Sequence, residues 1–328
     1  MTPLLEVKNL TTEFHTKSGI IRAVNGISYT LNKGETVSIV GESGSGKSVS
    51  VLSILKLLPS YARITSGEII FTGMDILRSS KKKMKELRGN KISMIFQDPM
   101  SSLNPTLTIG QQIMEPLLWH HKASHKEARR KALEMLEVVS IPSAEKRFYQ
   151  YPFEFSGGMR QRAMIAMALI SEPSLLIADE PTTSLDVTVQ AQILLLIKKM
   201  QEKLGMSVIL ITHNLAVATM VSHYVIVMYA GKVVEKASIE KFLRRPSHPY
   251  TLGLLGSTPV LKSERPLFSI PGQPPTLGDL SSDACPFADR CMHKMTICEE
   301  KTPPEVKMSE SHSIYCWLYY EGGEKVGE

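Results

Sequence analysis

The chain of 328 residues has no long hydrophobic run. No window approaches the roughly 18 consecutive apolar residues of a membrane span, and stretches such as Val225 to Ala230 are sized for buried strands. Met1 to Thr12 lacks a basic region followed by a long apolar stretch, so no signal peptide is expected. Only four cysteines occur, none before position 285. The basic run Lys81-Lys82-Lys83-Met84-Lys85 has no interleaved aromatics, which argues against a base-stacking nucleic-acid surface. The net charge of +6 then reads as a mild lysine excess on solvated faces, relevant to solubility rather than to fold. No internal repeat is visible. These absences point to a cytosolic chain whose membrane role, if it has one, comes through a partner.

What is present is ordinary in bulk, with 43% apolar and 21% charged residues. The length suits one large domain plus an appendage, with a full core. Residues 4–9 and 21–31 alternate apolar and polar residues and predict antiparallel strands of a small β-layer. Thr36 to Val40 reads as a buried strand and Lys47 to Leu58 as a helix closed by Pro59. Residues 67–73 and 92–96 are strand-like. Residues 110–171 read as almost wholly helical, with Ser124-His125-Lys126-Glu127 a capping box for the helix through Val139. From 175 to 230 the pattern alternates: strand 175–179, helix 187–204, strand 207–212, helix 214–221, strand 224–230. That alternation predicts a parallel sheet with crossover helices. The expected organisation is a domain over 1–240, with a helical subdomain inserted at about 98–172, and a C-terminal extension over 241–328.

Gly41-Glu42-Ser43-Gly44-Ser45-Gly46-Lys47-Ser48 fits the phosphate-loop pattern, after an expected strand and before an expected helix. Gly41, Ser43, Gly44 and Gly46 let backbone N–H groups curl around phosphate oxygens, aided by the helix N-terminus. Lys47 is placed to reach the β- and γ-phosphates, and the Ser48 hydroxyl to ligate Mg²⁺. Asp179 and Glu180 follow four apolar residues at a strand end. Asp179 suits Mg²⁺ coordination through water, and Glu180 suits proton acceptance from an attacking water. Ser156-Gly157-Gly158 lies about 110 residues after the loop and opens a second phosphate-binding helix. One nucleotide cannot use both starts from one compact domain, so two chains are expected to clasp ATP between them.

Gln97 after strand 92–96, Phe155-Ser156-Gly157-Gly158-Met159-Arg160-Gln161-Arg162, Asp179-Glu180-Pro181-Thr182-Thr183, Ser184-Leu185-Asp186 and His213 after strand 207–212 stand in the order of ABC-type ATPase domains. Over residues 4–240 the chain resembles that family. The resemblance implies an α/β P-loop NTPase (RecA-like) core with an antiparallel β-layer and an inserted helical subdomain. It implies that Gln97 contacts the Mg²⁺ and water region, that His213 fixes the γ-phosphate and attacking water, that Asp186 belongs to the nucleotide site, and that an aromatic stacks on adenine. Phe14 is the best match for that aromatic, although a core role is equally open to it. Two departures stand out. The usual Leu-Ser-Gly-Gly-Gln is Phe-Ser-Gly-Gly-Met, and Asn214 stands where Asp is common. Asn caps helices about as well. With Lys47, Glu180 and His213 in place, active hydrolysis is expected.

All four cysteines, Cys285, Cys291, Cys298 and Cys316, fall within the last 44 residues, a clustering that random placement would give roughly three times in ten thousand. Disulfides are disfavoured in a cytosolic protein, leaving metal ligation as the main option. Four thiolates suit structural Zn²⁺ or a [4Fe–4S] cluster, and free thiols remain open. Residues 244–316 resemble the C-terminal extension of oligopeptide and dipeptide importer ATPases. The carriers are Arg245-Pro246-Ser247-His248-Pro249-Tyr250-Thr251, Leu254-Leu255-Gly256-Ser257-Thr258-Pro259, Ile270-Pro271-Gly272-Gln273-Pro274-Pro275 and the cysteine block. This second resemblance implies an iron–sulfur ligand set, with zinc the alternative. It further implies an ATPase at the cytoplasmic face of the cell membrane that powers import of di- or oligopeptides. Its partners would be two membrane permease subunits, a second ATPase subunit (self or paralogue) and, indirectly, an extracytoplasmic peptide-binding protein. An importer for nickel or another small solute is the near alternative. A soluble ABC ATPase acting on nucleic acid or ribosomes is the distant one, as neither a coiled-coil insertion nor a second ATPase domain is present.

Overall fold

The computed structural model describes residues 3–17, 19–182, 186–257, 269–275, 283–321 and 324–325. In chain order the elements are β1 (Pro3–Thr16), β2 (Gly19–Asn32), β3 (Thr36–Val40), α1 (Lys47–Leu55), β4 (Ala62–Phe71), β5 (Met74–Asp75), α2 (Lys81–Leu87), β6 (Ile92–Ile95), α3 (Pro99–Ser102), α4 (Ile109–Trp119), α5 (His125–Val138), α6 (Ala144–Phe148) and α7 (Gly157–Leu169). There follow β7 (Leu175–Asp179), α8 (Val187–Leu204), β8 (Ser207–Thr212), α9 (Leu215–Val221), β9 (Tyr224–Tyr229), β10 (Lys232–Ser238), α10 (Ile239–Arg244), α11 (Pro249–Gly256), α12 (Thr296–Glu300), β11 (Val306–Ser309) and β12 (His312–Ile314). The chain divides into two compact units. One holds Asn32–Glu35 and Arg78–Ile211; the other holds Pro3–Leu31, Thr36–Leu77 and the described residues from Thr212 onward. Among the described residues no helix is long and apolar enough to cross a membrane.

In the first unit, β6, β7 and β8 pair in parallel, with Ile92 opposite Leu175 and Leu175 opposite Ser207. Every residue of β7 and β8 is buried, as expected for strands covered on both faces. The stretch 110–171, expected to be almost wholly helical, holds α4 to α7, and the short α3 precedes it. Ser124 does cap α5, accepting from the Glu127 amide at 3.3 Å. The complete reciprocal box lies one helix earlier, where Thr108 and Gln111 cap each other at the start of α4. The bounds of α8 match the sequence expectation, with Asp186 as N-cap.

In the second unit, β2, β1, β4 and β5 form a four-stranded sheet in that order, the antiparallel layer. The strands β1 and β2 are longer than their alternating cores suggest, because pairing continues beyond the buried residues. Here β3 pairs in parallel with β9, and β10 runs antiparallel to β9. The extension adds to the same layer: β12 pairs with β10, and β11 with β12. Helix α1 stops three residues short of the expected Leu58. Lys56 adopts a left-handed conformation (φ 50°) and its N–H turns back to the Leu52 and Ser53 carbonyls, so the chain itself ends the helix before Pro59 is reached.

The extension is anchored by two buried features of this unit. The rings of Tyr229, Tyr250 and Phe287 pack with centroids 4.7–5.3 Å apart. Glu235 of β10 is fully buried and accepts hydrogen bonds from the Ser247 amide at 3.0 Å and the His248 amide at 2.9 Å, with His312 Nε2 at 2.8 Å. Burial alone would neutralise this carboxyl, but those partners outweigh it and hold its pKa below the ordinary value.

Candidate functional site

The phosphate loop follows β3 at its carboxyl end, where ligands bind in open α/β sheets. Gly41 (φ 153°) and Gly46 (φ 95°) have backbone conformations that disfavour a side chain. A Cβ at Gly41 would run into the Met228 carbonyl oxygen, and one at Gly46 into that of Ala23. Glycine is therefore dictated by the packing of this unit as well as by the ligand. The loop is tied down by the Gly231 amide donating to the Ser45 carbonyl at 3.0 Å. Lys47 is buried, its ammonium donating to the Gly41 and Glu42 carbonyls at 2.8 Å each and reaching Ser45 Oγ at 3.4 Å. It thus rests inside the curl of its own loop. Ser48 is the second residue of α1.

Asp179, buried, ends β7, and Glu180 follows in a left-handed conformation (φ 46°). That region costs a non-glycine residue energy and persists only where the surroundings enforce it. Here the Glu180 amide donates to the Ile211 carbonyl at 3.0 Å. The Glu180 carboxylate in turn accepts from Gln97 Nε2 at 3.0 Å. Two residues 83 positions apart are thereby brought into direct contact. Next to Gln97, Asp98 caps α3 through the Met100 and Ser101 amides, which hold its carboxyl below the usual range.

Ser156 is the N-cap of α7, its hydroxyl accepting from the Met159 amide at 3.3 Å, so the second expected helix start is present. Phe155 is buried, and its carbonyl is held by Arg160 Nη1 at 2.8 Å. Gly157 is exposed, and a Cβ there would meet nothing within 4 Å. Asp186 caps α8 by accepting from the Val189 amide at 2.9 Å. Thr183, Ser184 and Leu185 lie outside the described residues. His213 sits exposed just after β8, ahead of Asn214, which caps α9 through the Ala216 and Val217 amides. Phe14, near the end of β1, is half-buried with its ring 5.7 Å from that of Tyr61.

The cysteine quartet departs from expectation. Among the described residues no group of three or more His, Cys, Asp or Glu side chains is arranged to hold a metal ion, so the expected Zn²⁺ or [4Fe–4S] ligand set at Cys285, Cys291, Cys298 and Cys316 is not found as a formed metal site. None of the four is in a disulfide. Burial is the main cause that pushes the Cys285 thiol up to about 11 and the Cys316 thiol up to about 12, and Cys291 upward as well. The thiols do lie close enough to influence one another, since Cys285, Cys291 and Cys298 each raise the pKa of Cys316. The backbone also joins two of them, the Cys285 amide donating to the Cys298 carbonyl at 2.8 Å.

Sequence reasoning passed over three residues beside these sites. Tyr61, 56% exposed, offers a second ring next to Phe14; an isolated tyrosine after Pro59 carries no periodic signal. Glu42, an unconstrained position of the phosphate-loop pattern, contacts Tyr250 and Arg290. The only sequence hint for Arg290 is its place directly before Cys291.

Residues 24–183 match the family described as ABC transporter, and residues 234–298 the one described as oligopeptide/dipeptide transporter, C-terminal region. The dipeptide transport ATP-binding protein DppD of Bacillus subtilis (strain 168) is 52% identical over 326 residues, which cover 99% of this chain and 97% of the relative. The oligopeptide transport ATP-binding protein OppD of the same organism is 51% identical over 330 residues, covering 99% and 92%. Among solved structures, the dimeric bacterial ABC transporter cassette MJ0796 matches with a TM-score of 0.65 at 30% identity, over 72% of this chain and 98% of that one. The same cassette in a post-hydrolysis state bound to ADP and Pi matches equally well. With a glycine-dictated phosphate loop, a carboxylate pair ending a buried strand and a near end-to-end match to such relatives, the chain belongs to the ATP-binding subunits of the oligopeptide and dipeptide ABC transporter family and is an ABC-type ATPase.

Proposed function

We propose that this chain hydrolyses ATP to power import of di- or oligopeptides through a membrane transporter. The ATPase domain is read as 1–240, with its helical subdomain at about 98–172, and the extension as 241–328. Lys47 and the loop amides of Gly41, Ser43, Gly44 and Gly46 bind the phosphates, with Phe14 against the adenine. Ser48, Asp179 and Gln97 would hold Mg²⁺, whose chemistry is to neutralise charge on the phosphates. Glu180 accepts the proton of the attacking water, and His213 orients that water and the γ-phosphate. The observation that carries the hydrolytic reading is the Gln97–Glu180 hydrogen bond, made by a carboxylate held on strained backbone. A residue that relays the nucleotide state and the general base are thereby in direct contact.

Ser156, Gly157 and Gly158 serve the ATP of a second ATPase subunit, in a head-to-tail dimer of self or paralogue. The open space over Gly157 supports this, because nothing in the chain itself requires glycine there. Two permease subunits dock beside Gln97 to Leu103, where Phe96 and Met100 stand 41% and 62% exposed. An extracytoplasmic peptide-binding protein delivers the cargo. The working location is then the cytoplasmic face of the membrane. For the cysteine quartet the reading is a [4Fe–4S] cluster that staples the extension, supported by four thiols that act on one another; iron and sulfide analysis of anaerobically purified protein decides between it, zinc and free thiols.

Glu180→Gln tests the hydrolytic reading. Phosphate release should fall by about 10²–10⁴-fold, the usual contribution of a general base, while gel filtration with ATP should show an accumulated dimer. Hydrolysis at the wild-type rate would refute the general-base assignment.

A further inference from the structure

The second residue of the phosphate loop is gripped from the C-terminal extension. The Glu42 amide donates to the Tyr250 hydroxyl at 2.8 Å. The Glu42 carboxylate is bracketed by Arg290, with Nη1 2.6 Å from Oε2 and Nη2 3.2 Å from Oε1, a two-point fork. The Arg290 side chain is 6% exposed against 26% for Glu42. Arg290 is itself aimed by Nε donating to the Pro271 carbonyl at 2.9 Å and by Nη1 lying 3.3 Å from the Tyr229 hydroxyl. Burial opposes its charge, but the Glu42 and Tyr229 contacts outweigh that and keep it protonated. Both polar handles of Glu42 are therefore committed to residues at least 208 positions away. Its carbonyl is meanwhile one of the acceptors of the Lys47 ammonium.

A carboxylate within a loop that curls around phosphate is electrostatically adverse, since it repels the ligand the loop exists to bind. A guanidinium forked onto that carboxylate removes the conflict and fixes the residue that Lys47 leans on. We propose that Arg290 is a positioning residue for ATP binding: it neutralises and orients Glu42, so the phosphate loop reaches full affinity only with the extension docked. This rests on the reading of residues 41–48 as the ATP phosphate site. A device that merely stapled the extension would have no need of a loop carboxylate as partner.

The test is ATP affinity and turnover of the full-length protein, by titration with a fluorescent ATP analogue and by steady-state ATPase assay. Arg290→Ala should raise the ATP Kd about tenfold, equivalent to ~1.4 kcal/mol, with kcat changed less than about twofold. Added salt should shrink that difference, because the unmasked carboxylate is screened. Glu42→Gln in the Arg290→Ala background, which removes the unmasked carboxylate, should restore most of the lost affinity. Arg290→Lys, which keeps charge but not the fork, should fall in between. An unchanged Kd in a normally melting Arg290→Ala protein would overturn the proposal, as would a double variant no better than Arg290→Ala. Should Arg290→Ala fail to fold, an unchanged Kd in Arg290→Lys would overturn it equally. Lys47→Ala separates the two readings: if that variant keeps its ATP affinity, it is the phosphate-site assignment that fails.

Discussion

Replacing Glu235 with alanine removes the acceptor shared by the Ser247 amide, the His248 amide and His312 Nε2, in a place with no exposed surface. Two backbone N–H groups and one ring nitrogen would be left buried without that partner, and each such group costs about 1–3 kcal/mol. Some relaxation around the site leaves the lower half of that sum, about 3–5 kcal/mol. At about 2 °C per kcal/mol for a unit of this size, the melting temperature should drop by about 6–10 °C. Glu235→Gln, which retains one oxygen acceptor, should lose about half as much as the alanine variant. Differential scanning fluorimetry at pH 7.5 reads both. The folded pKa of Glu235 is depressed, so its contribution is present above the unfolded carboxyl pKa and lost as pH falls through the folded value. The gap between wild type and Glu235→Ala should therefore close below about pH 4. A Glu235→Ala protein melting within about 1 °C of wild type at pH 7.5 would refute the reasoning, since even one orphaned buried amide exceeds that.

His248 is fully buried, and its pKa is lowered to about 4, chiefly by burial; its Nδ1 accepts from the Tyr250 amide at 3.0 Å, which requires the neutral ring. The unfolded chain binds the extra proton between about pH 6.5 and 4, so this residue should remove about 3 kcal/mol of stability across that window as pH falls. His248→Asn keeps a capping acceptor and should flatten that slope in urea titrations. Phe14→Ala should raise the ATP Kd about five- to tenfold if its ring stacks on the base, as such contacts contribute roughly 1–3 kcal/mol; a loss of stability with ATP affinity unchanged would assign Phe14 to the core instead.

The residues whose chemistry demands a local pattern were legible in the sequence. The phosphate loop, the Asp179–Glu180 strand end and the Ser156 helix start each need neighbours within a few positions, so spacing alone reveals them. Helix α8 could be bounded at both ends because Asp186 caps it and Gly205 ends it. What stayed hidden depends on distance along the chain. Glu42 and Arg290 are 248 positions apart, and Glu235 and His312 are 77 apart; nothing in either neighbourhood announces the other. The early end of α1 was hidden for another reason, since a lysine in a left-handed turn looks like any other helical lysine in sequence. The cysteines were legible in a third way, their clustering marking one region without revealing how the side chains are arranged there: Cys298 and Cys316 are buried and Cys285 and Cys291 half-buried.

The Glu235 hub and the Arg290 fork together constrain how such proteins can be recombined. An extension grafted from a relative would arrive with its own arginine, histidine and backbone amides. It would have to meet a carboxylate at position 235 on β10 and another at position 42 in the loop. A chimera cut at residue 240 that breaks either pairing would inherit a buried charge without its counterpart. Extension and nucleotide domain are therefore interchangeable only as matched sets, and libraries that shuffle them should cut elsewhere.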